Sequence, residues 1–219
     1  MLKKRSSGAS PLFLAAGGEV LIHLHTFLVL LHLLAFAIGL GSAILADWIV
    51  LSRMTFKTIT KRAEQQLTDL SRAVTVGLAL LWITGSILVG NNALTDLASL
   101  ENHKLWGKIL IVAVLTGNAL LLHVVVLPIV QSRVGHKLFS ATFAGRPLLC
   151  TLAGTVSATS WMFAAYLGRA RELNGTVGLD QVLYSYGATL LFAWSAVLAL
   201  SYSARHRVRH SAVRAGAAT

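Results

Sequence analysis

The sequence predicts an all-α integral membrane protein, built as one bundle of five transmembrane helices. Its 219 residues are 55% hydrophobic and only 12% charged, whereas a soluble domain is about 25% charged. Five apolar segments are long enough to cross a bilayer, which takes about 20 residues per helix. They are Val20–Leu51, Ala73–Val89, Leu105–Val130, Leu148–Leu167 and Val182–Tyr202.

The first segment follows a basic tail, residues 1–18, and is longer than the hydrocarbon core requires. We therefore expect this helix to tilt or to project beyond one face of the membrane. It carries a nearly continuous strip of small residues, and such strips allow helix backbones to approach closely in lipid. The strip consists of Ala35, Gly39, Ser42, Ala43 and Ala46.

The remaining segments complete a single transmembrane domain, residues 19–203, and a basic cytoplasmic tail, residues 204–219. The polar stretch 55–74 has charges at helical spacings and is predicted to extend the second helix into the cytoplasm. Pro128 lies near the end of the third segment and is expected to kink or close that helix.

The net charge of +11 comes mainly from short segments between the apolar runs. Lys and Arg concentrate on the cytoplasmic side of membrane proteins. Twelve of the 19 lie on the side that holds the C-terminus, which predicts a cytoplasmic C-terminus and an N-terminus outside. The pattern is typical of the bacterial inner membrane and does not indicate nucleic-acid binding. Cys150 is the one cysteine, which excludes an intramolecular disulfide and a cysteine-rich metal site.

Several ionisable side chains fall within or beside the apolar segments, where they are costly and usually functional. His25 and His32 are seven residues apart and so share one helix face, which is also the face of the small residues. Two polar levels are expected. The outer level holds His25, His32, His103 and Lys108, and the inner level holds Asp47 and His123.

The outer level suits haem b, because histidines on two helices at one depth can ligate the iron from both sides. His32 is the predicted axial and metal ligand, with His103 or His25 as the second. Lys108 is placed to bind the haem propionates. Asp47 and His123 are predicted to carry protons from the cytoplasmic side, although a structural hydrogen-bonded pair explains them equally well.

Residues 28–130 also resemble a group of small bacterial membrane proteins that includes the HemJ-type protoporphyrinogen oxidases and the copper-resistance D-type proteins. The matching stretches are "LHLLAFAIGLGSAILADWIVLSR", "LLWITGSILVG" and "LWGKILIVAVLT". The matching positions are His32, Arg53, Gly85, Trp106 and Lys108. The resemblance implies haem b binding and porphyrinogen oxidation, with His32 and Lys108 as important residues. The fourth segment lacks the Arg and Asn–Glu features of that group, so the resemblance favours haem binding over porphyrinogen oxidation.

The sequence therefore predicts a haem b-binding inner-membrane protein with electron-transfer or oxidoreductase activity, with quinone or another membrane redox component as its partner. Two alternatives remain open. One is an accessory or structural subunit of a larger membrane complex. The other is a small transporter for a metal or another solute, in which Glu19, His23 and His25 form a capture site at the outer end.

Overall fold

The computed structural model describes residues 11–54, 58–132, 134–135, 146–173 and 175–216. These residues are almost entirely helical. In chain order the α-helices are α1 (Pro11–Met54), α2 (Lys61–Thr95), α3 (His103–Leu121), α4 (Leu127–Gln131), α5 (Arg146–Arg169) and α6 (Leu179–Gly216). A π-helical turn, Leu122–Val126, joins α3 to α4, and short 3₁₀ helices occupy Leu97–Glu101 and Arg171–Leu173.

Four helical stretches are long and apolar enough to cross a membrane, within the residues that the structure describes. They are Ile22–Val50, Lys61–Thr95, His103–Gln131 and Leu179–Ala199. Large apolar side chains are exposed along these stretches, including Leu33, Ile83, Leu120 and Phe192. Contact with lipid accounts for such exposure. The prediction of an all-α, multi-pass membrane protein is confirmed.

The predicted fourth span corresponds to α5, which is not one of the four stretches above. α5 carries several hydroxyl and small residues among its Leu, Val and aromatic residues. Thr155, Ser157, Thr159 and Ser160 are all buried. These hydroxyls therefore face protein, and Ser160 is hydrogen-bonded to the hydroxyl of Tyr186 on α6 at 2.6 Å.

Helices α1, α2, α3 and α5 form a ring around an interior space. α1 packs most extensively on α2 and also contacts α5, while α3 contacts both α5 and α2. α1 and α3 therefore face each other across the interior. α6 lies outside the ring, against α5 and α3.

The small residues of α1 set the distance to two neighbours. A Cβ atom added to Gly77 of α2 would lie 3.0 Å from the Ala35 carbonyl oxygen and 3.1 Å from Gly39 Cα. Trp161 of α5 is almost fully buried and packs on the other side of Gly39, with its ring edge-on to Phe36 at 5.3 Å. The predicted small-residue strip thus lies at the α1–α2 and α1–α5 interfaces.

The third span stays helical past Pro128 but changes its winding just before it. Proline has no N–H to donate and its ring clashes with the carbonyl four residues earlier. The backbone accommodates this in the π-helical turn, where the Leu127 N–H donates to the Leu122 carbonyl five residues back. The expected kink at Pro128 therefore takes the form of a π turn, and helix α4 continues to Gln131.

The helix ends differ from the predicted domain boundaries. α1 begins at Pro11, inside the segment expected to be a tail, and α6 continues through most of the predicted C-terminal tail to Gly216. α2 begins at Lys61, where the Thr60 hydroxyl caps the helix by accepting from the Ala63 N–H at 3.3 Å. The predicted extension of the second helix is present from that residue onward.

Candidate functional site

The imidazole of His32 is held by a hydroxyl on the neighbouring helix. Its Nδ1 lies 2.7 Å from Thr84 Oγ1, which is buried between α1 and α2. The Thr84 hydroxyl has one hydrogen, and it donates this hydrogen to the Leu80 carbonyl at 2.6 Å. His32 Nδ1–H is therefore the donor to Thr84, and the lone pair of the neutral ring is on Nε2. A histidine oriented in this way is suited to ligate a metal through Nε2.

The His32 site, as we call it, consists of His32, Thr84, Gly85 and Lys108. A Cβ atom on Gly85 would lie 3.3 Å from His32 Cε1. Glycine at this position therefore leaves room for the imidazole ring. Lys108 of α3 is half-buried and near enough for its charge to act on His32. Among the residues that the structure describes, its ammonium group has no hydrogen-bond or ion-pair partner. The neighbouring Lys104 donates its Nζ to the Ala170 carbonyl at the end of α5.

The other predicted outer residues do not join this site. His23 and His25 are exposed, as are all described side chains from Ile22 to Phe27, where α1 projects beyond its neighbours. His103 is exposed at the start of α3. The side chain of Glu19 lies outside the described part of the structure. Of the predicted outer level, His32 and Lys108 are therefore partly buried in the bundle, whereas His25 and His103 are exposed.

Asp47 lies about 22 Å further along α1 than His32, given the rise of a helix, and lines a cavity of about 90 Å³ in the middle of the ring. One carboxylate oxygen, Oδ1, lies against Gly154 of α5. The other, Oδ2, is buried and has no hydrogen-bond partner within the described part of the chain. A buried, unpartnered carboxylate oxygen is costly in an apolar interior, so this cavity is the second candidate site.

The walls of the Asp47 cavity are apolar apart from a small set of polar groups. Each helix of the ring contributes one of them: Asp47 from α1, Ser71 from α2, Asn118 from α3 and Ser157 from α5. Asn118 is buried and donates its Nδ2 to the Ala153 carbonyl at 3.0 Å. That bond fixes the amide and leaves its Oδ1 available as an acceptor. A mostly apolar pocket with a few convergent polar groups is typical of a small-ligand site.

His123 is connected to the Asp47 cavity through Ser71. The His123 side chain is exposed, and its Nδ1 is 3.1 Å from Ser71 Oγ. Ser71 also lines the cavity, whereas His123 does not. The predicted inner pair is thus separated by a hydroxyl, and His123 sits in the π turn, a form of helix that is frequent at functional sites.

Trp161 forms the end of the Asp47 cavity toward Phe36. Along α1 it stands between the two candidate sites, since it packs on Gly39, which lies between His32 and Asp47 in sequence. The ring of Trp161 is 1% exposed and lies between Gly39 and the Asp47 cavity that it lines. The two predicted polar levels are therefore two separate sites.

The described residues contain no group of three or more His, Cys, Asp or Glu side chains that could hold a metal ion. Haem iron needs only one or two ligands from the protein, because the porphyrin supplies the other four. The His32 site offers one.

Sequence reasoning missed the residues that orient and complete both sites. Asn118 carried a usable signal, because an amide in an otherwise apolar span needs a partner in the interior. Thr84, Ser71 and Ser157 carried little, since helical Ser and Thr are usually satisfied by their own backbone. Trp161 carried none, because its place depends on Gly39 of a helix more than a hundred residues away.

Comparison of the chain with protein families, with characterised proteins and with solved structures finds no match.

Proposed function

We propose that this protein is a membrane haem b protein that transfers electrons, with His32 as the axial ligand of the iron. The observation that carries the proposal is the hydrogen bond from His32 Nδ1–H to Thr84 Oγ1. Hydrogen-bond partners on the ring nitrogen that does not bind the metal fix the tautomer and ring orientation of metal-ligating histidines. Loss of such a partner typically weakens metal binding about 10–100-fold, because a misoriented imidazole binds weakly.

The residues at the His32 site fit part of what a haem requires. Nε2 of His32 supplies one axial bond, and the ammonium of Lys108 is suited to one propionate. A second histidine is not at this site among the described residues, because His25 and His103 are exposed elsewhere. The proposal is therefore a single protein ligand, in place of the two-histidine arrangement that the sequence suggested. When bound, the haem would supply one-electron chemistry.

We also propose that His123 and Asp47 carry protons from the cytoplasmic side. Asp47 and His123 stand on either side of Ser71, so a proton accepted by His123 at the bundle surface can pass through the hydroxyl into the Asp47 cavity. Buried ionisable groups in membrane proteins commonly serve as proton carriers. Quinone is the proposed redox partner, since it accepts electrons and protons together within the lipid.

We further propose that α5 crosses the membrane as a fifth span and that the C-terminus is cytoplasmic, in a bacterial inner membrane. α5 supports this proposal by its position, since it packs against three helices that contain candidate spans. Its 24 residues are long enough for the hydrocarbon core. The excess of Lys and Arg on the C-terminal side supports the orientation.

The visible absorption spectrum of the full chain, purified from bacterial membranes in mild detergent, tests the proposal. Wild-type protein should show Soret and α bands that shift on reduction. His32→Ala should lose them, while His25→Ala and His103→Ala serve as matched histidine controls and should retain them. A wild-type spectrum without these bands, after reconstitution with haem, would refute haem binding. Bands that survive in His32→Ala would refute the assigned ligand.

A further inference from the structure

We infer that the Asp47 cavity is a binding site for an alkali cation, sodium or potassium, coordinated by oxygen atoms from all four helices of the ring. This site is distinct from the His32 site and does not depend on haem. Asp47 Oδ2 is a buried carboxylate oxygen with no hydrogen-bond donor among the residues that the structure describes.

The donor set decides the class of ligand. Besides the Asp47 carboxylate, the cavity is lined by the Asn118 amide and by the hydroxyls of Ser71 and Ser157. Each of these four side chains can offer an oxygen atom, and oxygen is the ligand atom that hard cations prefer. None of the four is a histidine or a cysteine, the residues that supply nitrogen or sulfur ligands. The Asn118 amide nitrogen is already engaged with the Ala153 carbonyl, so its oxygen is the atom available to the cavity.

The charge of the site indicates a monovalent ion. Asp47 is the one charged side chain among the lining residues, and the rest of the wall is apolar. One carboxylate neutralises one positive charge. A divalent cation would keep a net charge in a low-dielectric interior, where an uncompensated charge is expensive.

The size of the cavity allows the ion to keep part of its hydration. A space of about 90 Å³ is several times what a single buried water needs. Waters can therefore complete the coordination shell where the four side chains do not reach. An ionised Asp47 in a cavity filled by water alone would have no counter-charge, whereas a bound cation supplies one.

Other titratable groups lie on the helices packed around Asp47. On α2, Glu64 accepts from Gln131 Nε2 at 3.2 Å, and Asp69 pairs with Arg72 on the exposed side at 3.7 Å. On α5, Cys150 is buried in a cluster with Ile59 and Val130, beyond the cavity. His123 acts through Ser71. Cation binding therefore requires ionised Asp47 and should be lost when acid protonates it.

The test compares thermal unfolding of the full chain in detergent at constant ionic strength, in sodium, potassium or choline chloride. A cation at about ten times its dissociation constant should raise Tm by about 3 °C or more relative to choline. Asp47→Asn should abolish this shift. Asp69→Asn, which removes an exposed carboxylate from the neighbouring helix, should retain it, and so should His32→Ala.

A second measurement guards against a variant that does not fold. Sodium NMR line broadening by wild-type protein reports ion binding directly, and Ser157→Ala, a mild change in the cavity wall, should weaken the apparent affinity several-fold. Equal Tm values in sodium, potassium and choline would overturn the inference. So would a cation shift that Asp47→Asn and Asp69→Asn retain equally, or stabilisation by acid alone.

Discussion

The hydroxyl of Thr84 is the residue-scale feature on which the His32 site depends. This hydroxyl accepts a hydrogen bond from His32 Nδ1–H and donates its own hydrogen to the Leu80 carbonyl. The N–H of His32 and the O–H of Thr84 thus each have an acceptor. Because Thr84 is 1% exposed, water cannot replace it when it is removed. The histidine would then keep a part-buried N–H without a protein partner, which costs up to about 1–3 kcal/mol.

Thr84→Val is therefore expected to weaken haem binding about 10–100-fold, the usual effect of losing the outer partner of a ligand. Valine keeps the shape of threonine and removes the hydroxyl. Thr84→Ser is the matched control, since it keeps the hydroxyl and should bind haem nearly as the wild type does. Titration of the purified variants with haem, followed at the Soret band, measures the change. Equal affinity of the Val and Ser variants would show that Thr84 does not orient the ligand.

Gly39 and Trp161 form a second residue-scale unit. A Cβ atom on Gly39 would overlap the Trp161 ring, reaching 2.8 Å from Cζ2, and the ring is too buried to move aside. Gly39→Ala should therefore destabilise the protein by about 1–3 kcal/mol through overpacking. Trp161→Phe removes the atoms that clash and leaves a small void.

The double variant Gly39→Ala/Trp161→Phe should lose less stability than the sum of its parts, with a coupling of about 1–2 kcal/mol. Gly41 provides the control position, since a Cβ atom there would meet nothing within 4 Å. Gly41→Ala combined with Trp161→Phe should be additive. Chemical unfolding in detergent micelles gives the four free energies of each cycle. Additivity at Gly39 would mean that the ring relaxes without cost.

At the scale of the helix, α1 and α2 are held together by backbone proximity. Gly77 approaches the Ala35 carbonyl and Gly39 Cα, which are backbone atoms and cannot rotate away. Gly77→Ala should push α1 from α2 by a few tenths of an ångström. We expect a net loss of about 1 kcal/mol, since overpacking exceeds the better helix propensity of alanine.

Gly90→Ala is the matched control for Gly77→Ala. It lies on the same helix, and a Cβ atom there would meet nothing within 4 Å. Alanine is intrinsically favoured over glycine in a helix by up to about 1 kcal/mol, so this variant should be neutral or stabilised. Thermal unfolding of the two variants side by side checks the prediction. Equal stability of both would indicate that the α1–α2 contact is adaptable.

Hydropathy alone could predict the transmembrane helices, including the segment that forms α5, but not which helices pack against α5. The apolar runs of α1, α2, α3 and α6 are long, and lipid-facing surface requires apolar residues whatever the packing. The buried hydroxyls of α5 make sense only once its neighbours are known. For the same reason the sequence could place His32 and Asp47 at two depths, but could not supply Thr84, Ser71 or Asn118 as their partners.

At the scale of the whole molecule, the ring divides into a cationic end and an anionic middle. Lys104 and Lys108 lie on the first two turns of α3, and Asp47 lies in the cavity beyond Trp161. The loops at the other end also meet, since the Gly135 N–H donates to the Ile59 carbonyl at 2.8 Å. The buried Ile59 packs near Val130, a residue of the cavity wall. An ion or proton bound to Asp47 would thus lie between Trp161 and this loop contact.

The orientation of that ring in the membrane can be determined by labelling the two ends of α2. Gln65 and Asn91 are exposed near the start and the end of α2, which is long and apolar enough to span the bilayer. A single cysteine at each position, in a Cys150→Ala background, can be labelled with a membrane-impermeant maleimide. With the C-terminus cytoplasmic, Asn91→Cys should react in intact cells with an accessible periplasm.

Gln65→Cys should react only after the inner membrane is permeabilised, because the basic residues around it favour the cytoplasm. Denatured protein provides the reference for full labelling at both positions, and the Cys150→Ala parent should stay unlabelled. The reverse labelling pattern would mean that the protein has the opposite orientation in the membrane. His123, which is two residues beyond the end of α3, would then face the outside, and the proposed supply of protons from the cytoplasm through Ser71 would be wrong.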